Sequence, residues 1–135
     1  MTEEHEVVIQ FRNVTKTFDL FKNDKQRLKS LLFHNTNAKK KVAIDNLSFD
    51  IRQGEAVAIL GKNGAGKSTM LNAVAGVWPV DSGRIILDGV DVTAMPEYRR
   101  AQYIGRVFQD PMMGTAANMQ IEENLALAAR RGKKR

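Results

Sequence analysis

A chain of 135 residues, 43% hydrophobic and 27% charged, has the composition of one ordinary globular domain with a modest core. It contains no cysteine, which excludes a disulfide framework and a thiolate metal site and points to a reducing, cytosolic compartment. The net charge of +6 invites a nucleic-acid partner, but the basic excess is confined to residues 22–41 and 130–135, and no basic platform interleaved with aromatics is present. The N-terminal MTEEHEVVIQF lacks the apolar stretch of a signal peptide, and no apolar run approaches the ~20 residues of a membrane span. Membrane contact is therefore expected only through a partner or through the basic segment.

In chain order, Glu6–Phe11 alternates weakly with β-branched residues and predicts a first strand. Residues 19–41 predict an insert: Asp24 as a cap, Leu28, Leu31 and Leu32 at helical spacing, then a polar and basic loop. Leu47–Ile51 alternates apolar with polar residues as a half-buried strand does. After a Gln53-Gly54 turn, the short run Glu55–Leu60 reads as a strand buried on both faces. A helix follows from about Lys67 to Val77, stopped near Trp78-Pro79; Trp78 reads as packing. Arg84–Leu87 predicts another strand, and Asp88-Gly89 a turn before Val90-Asp91-Val92. Pro96 opens a short helix through about Gln102, Ile104–Phe108 predicts a strand, and Ile121–Ala129 a helix.

Between the strand at 55–60 and the helix at 67 lies GKNGAGKST, Gly61 to Thr69, which matches G-x-x-x-x-G-K-[ST] at every required position. Several phosphate oxygens need many donors in a small volume, and side chains at every position would block their approach. Gly61, Gly64 and Gly66, with Lys62, Asn63 and Ala65 between them, let backbone N–H groups curl inward as an anion nest. The helix starting near Lys67 aims its positive end at the same point. Lys67 can reach the β- and γ-phosphates, and the Ser68 hydroxyl, followed by Thr69, can ligate Mg²⁺.

The loop alone fits kinases, GTPases and motor ATPases. Its surroundings, FRNVTKTFD (11–19), residues 41–93 and IGRVFQD (104–110), resemble the nucleotide-binding subunit of ATP-binding-cassette (ABC) transporters. That resemblance implies an α/β P-loop NTPase core with an N-terminal antiparallel β subdomain, binding ATP and Mg²⁺. It implies that Phe18, with Phe21 as a competitor, stacks on adenine, that Val42 packs against the base, and that Gln109 is the catalytic residue reaching Mg²⁺ and the attacking water. It further implies a transmembrane permease subunit and a second ATP-binding subunit as partners, no nucleic acid, and a cytoplasmic position at the inner face of the cell membrane.

No Ser-Gly-Gly-Gln signature, apolar strand ending in Asp-Glu, or downstream switch histidine follows, so the resemblance implies a partial nucleotide-binding domain with residues 111–135 at the start of its helical subdomain. Such a piece is expected to bind nucleotide at best and not to hydrolyse it. Residues 18–34 resemble the insert of polysaccharide or teichoic acid exporters, whereas residues 107–135 resemble ATPases of permeases that depend on a substrate-binding protein. A non-transport ABC ATPase acting on ribosomes or DNA, a small-molecule kinase and a binding-only module remain as alternatives.

Overall fold

The structure is a computed structural model and describes residues 6–21 and 39–130. Two strands of 14 residues, β1 (Val7–Leu20) and β2 (Lys39–Arg52), form an antiparallel ladder from Val7 opposite Arg52 to Leu20 opposite Lys39. β3 (Ser82–Leu87) pairs antiparallel with the other edge of β1, and the short β4 (Val90–Asp91) closes the order β2-β1-β3-β4. Asp88 and Gly89 turn the β3–β4 hairpin with φ of 50° and 73°, the left-handed pair that matches strand twist.

Both long strands run well beyond the expected Glu6–Phe11 and Leu47–Ile51. The ladder slips in register between Phe11 and Val14, which resets the alternation that a sequence pattern depends on. Asn13 and Asn46 sit at the irregularity with φ of 52° and 45°, a conformation asparagine tolerates. Asn13 donates through its backbone N–H to Ser48 Oγ at 2.7 Å and through Nδ2 to Asn46 Oδ1 at 3.0 Å, so side chains replace the missing ladder bonds. Asp19, Leu20 and Lys39–Lys41, assigned above to the insert, belong to these strands; the helix expected around Leu28–Leu32 lies outside the described residues.

Helix α1 (Lys67–Ala75) lays Met70, Ala73 and Val74 on the sheet face that carries Phe11, Val14, Ile44 and Ile85. Phe11 and Phe49, opposite each other on β1 and β2, stack at 4.6 Å between ring centroids. α1 stops two residues before the expected Val77, because Gly76 takes φ 83° and returns its N–H to Ala73 O. A single turn, α2 (Glu97–Arg100), follows Pro96. Arg100 from that turn is 3% exposed and donates to four carbonyls: Met95 O and Ala73 O at 2.7 Å, Val74 O and Thr93 O at 3.0 Å. It thereby clamps the C-terminal end of α1 to the segment after β4. A Cβ at Gly76 would stand 2.7 Å from Arg100 Nε, so the cap position must also stay bare for the clamp.

A 3₁₀ turn at Pro111–Gly114 begins at Asp110, whose Oδ1 accepts from Met112 N–H. Helix α3 (Ile121–Arg130) starts with Glu123 accepting from Gln120 N–H and buries none of its residues.

The expected strands at Glu55–Leu60 and Ile104–Phe108 are not formed: neither segment joins a sheet among the described residues. A strand exists only through its neighbours' hydrogen bonds, and the strands at hand pair with one another in the antiparallel sheet. Leu60 is left 91% exposed and Val107 97% exposed.

Candidate functional site

The loop Gly61–Thr69 folds at the mouth of α1. Gly64 and Gly66 take φ of 83° and 89°, which turns successive peptide groups toward one point. Gly66 is the cap residue of α1, with no side chain bonded to the first-turn N–H groups and no acidic residue in that turn. Those donors stand open to an anion, and the helix dipole favours negative charge there. A Cβ on Gly66 would lie 2.2 Å from Ala43 O, so the bare Cα is what lets the loop sit against β2. Lys67 folds back over the loop, donating Nζ to Gly61 O and, at 3.0 Å, to Lys62 O. Both acceptors are neutral carbonyls, and a phosphate would offer the ammonium a charge-assisted bond instead.

A cleft of about 390 Å³ opens on this loop, lined by Asn63, Gly64, Ala65, Gly66, Lys67, Ser68 and Thr69 and, from the strands, by Phe18, Lys41 and Ala43. The glycine-rich loop and the aromatic side chain therefore line one space. Phe18 is fixed edge-on by Trp78, centroids 5.2 Å apart at 77°, and Lys16 Nζ stands 5.5 Å from its centroid. Phe21 does not line the cleft. Neither does Val42, which pairs with Thr17 one position out of phase with the Phe18–Lys41 pair and is 52% exposed. Gly61 and Lys62 support the site through the carbonyls that hold Lys67.

Gln109 lies elsewhere. It lines a second cleft of about 470 Å³ with Asn72, Arg106 and Phe108, which runs along α1 from Ser68 to Ala75. Ser68 lines both clefts. Arg106 spans this second cleft, donating to Asn72 Oδ1 at 2.7 Å with its guanidinium 4.7 Å from the Phe108 ring centroid. Sequence reasoning missed Lys41, Ala43 and the Trp78 support of Phe18. The first two follow from strand register, which no local pattern carries.

A family profile described as "ABC transporter" matches residues 44–135. Over 101 residues the chain is 46% identical to a tyrosine transport ATP-binding protein of Clostridioides difficile (strain R20291), covering 75% of this chain and 40% of that protein. An O-antigen export system ATP-binding protein, RfbB, of Klebsiella pneumoniae is 43% identical over 90 residues, 62% of this chain and 37% of that protein. Among solved structures, the dimeric structure of MJ0796, a bacterial ABC transporter cassette, superposes with a TM-score of 0.69 at 25% identity, over 94% of this chain and 49% of that one. The chain thus spans less than half the length of these three relatives.

Proposed function

The chain belongs to the ABC transporter family, and from that premise we propose that residues 1–135 supply the base- and phosphate-binding part of an ATP-hydrolysing transporter subunit. The observation that carries the reading is the cleft in which Phe18 faces the uncapped first turn of α1 and its Lys67. Adenine would rest on Phe18, whose ring Trp78 already holds upright. The polyphosphate would take the loop N–H groups and draw Lys67 off Gly61 O and Lys62 O. The bare Gly64 and Gly66 and the Ser68 hydroxyl suit a Mg²⁺-nucleotide, a hard cation met by few protein oxygens and by phosphates. When bound, Mg²⁺ supplies charge neutralisation between the outer phosphates. Gln109, across Ser68 from the loop, would orient water rather than deprotonate it, since an amide is no base.

A tyrosine transport protein and an O-antigen exporter both share this segment, so what it has in common follows the nucleotide and not the cargo. A transmembrane permease subunit and a second ATP-binding subunit are the proposed partners, supported by the names of the relatives and by the dimeric cassette. No helix among the described residues is long and apolar enough to cross a membrane, and attachment at the inner face would run through the permease. The test is Mg²⁺-dependent ATP turnover by the intact protein that carries this segment. Turnover abolished by Lys67→Ala is expected; a variant that turns over ATP at the parent rate would refute the reading.

A further inference from the structure

Lys41 stands at the cleft with no role in the phosphate-loop pattern. It is the direct partner of Phe18 across the β1–β2 ladder, and the alternation of a strand sends its side chain to the cleft face while Lys40, opposite Asp19, goes to the other. Lys41 Nζ lies 3.9 Å from the point a Gly64 Cβ would occupy. Among the described residues it makes no ion pair or hydrogen bond, and no acidic side chain lines the cleft. An ammonium beside a loop of N–H donors, with Lys67 on the same loop, concentrates positive charge in the cleft. Such a concentration of positive charge attracts a polyanion.

Resting on the nucleotide reading above, we propose that Lys41 is a second phosphate-binding cation, gripping the phosphates nearest the base while Lys67 serves the terminal ones. The division follows from position. Lys41 springs from the strand beside Phe18 and reaches the middle of the loop at Gly64, whereas Lys67 begins α1 at the loop's end. The site would hold its ligand by a base shelf, a proximal cation and a distal cation in line.

Equilibrium titration of the intact protein with ATP, ADP and adenosine tests this in the parent and in Lys41→Gln, Lys41→Arg and Lys40→Gln. Loss of one partly exposed charge-assisted bond predicts that Lys41→Gln weakens ATP and ADP alike, by about five- to twentyfold at low salt and less at high salt, with adenosine unchanged. Lys41→Arg should keep most of the affinity, and Lys40→Gln all of it. Unchanged ATP and ADP binding in Lys41→Gln would overturn the inference alone, as would an equal loss for adenosine, a loss confined to ATP, or the same loss in Lys40→Gln. A parent protein that binds no ATP would instead overturn the nucleotide reading, and this inference with it.

Discussion

Phe18 takes its proposed function from what surrounds it. An aromatic on a strand is ordinary core material, but Phe18 is half-buried, fixed edge-on by Trp78 and faces the space in front of the phosphate loop. Stacking on a base is worth about 1–3 kcal/mol, so Phe18→Ala is expected to weaken ATP by about five- to 150-fold and leave inorganic tripolyphosphate untouched. Calorimetric titration of both ligands checks this. Phe21→Ala, off the cleft, is expected to change neither; the reverse pattern would move the base contact three residues on. The loop itself was legible because its chemistry is local: three glycines, a lysine and a serine at fixed spacing. Lys41 was not, because its meaning lies in being opposite Phe18, a relation between residues 23 positions apart.

At the scale of elements, α1 is the part on which the site depends, and it is held at both ends. Its first turn leans on Ala43 O through the bare Gly66, and its last turn is clamped by Arg100. Arg100→Met would take a donor from four carbonyls, of which Ala73 O keeps the Gly76 N–H, and is expected to cost about 2–4 kcal/mol, read as a lower urea midpoint. Arg100→Lys should recover little of this, since an ammonium cannot fork to four acceptors. Arg100 is legible in the sequence as part of a short helix, but the clamp is not, because its acceptors are main-chain groups.

The β1–β3 edge offers a pH test. Asp81 accepts from Lys16 Nζ at 2.9 Å and from the N–H and Oγ1 of Thr17, both at 2.6 Å. Desolvation pushes its pKa up, but the hydrogen bonds from Thr17 and Lys16 together outweigh this and hold the carboxyl below the usual range. Between the folded and ordinary values the unfolded chain binds the proton first, so this contribution is complete above the ordinary carboxylate pKa and fades as pH falls through the lowered one. Asp81→Asn should flatten that acid limb of stability against pH. An unchanged limb would show that the three bonds do not favour the charged form.

Across the whole molecule, what could be read early was what the chain completes within itself. The loop, α1 and the β3–β4 hairpin were visible in their local pattern, whereas of the long strands only Val7–Phe11 and Leu47–Ile51 were. The runs at Glu55–Leu60 and Ile104–Phe108 have the composition of buried parallel strands, yet no neighbour pairs them among the described residues, and Val57, Leu60 and Val107 face outward. Apolar sequence announces burial without naming the partner that provides it. The backbone donors proposed for the phosphates belong to the loop and to the first turn of α1, neither of which is part of a sheet.

In the proposed reading, this loop and cleft hold a nucleoside polyphosphate by its phosphate chain as well as by its base. The most direct measurement is the affinity of the intact protein for AMP, ADP and ATP, in the parent and in Lys67→Ala. Each added phosphate is expected to tighten binding in the parent, and removal of Lys67 to weaken ATP more than ADP and AMP least, flattening the series. Equal affinities along the parent series, or an equal loss for all three ligands in Lys67→Ala, would contradict it.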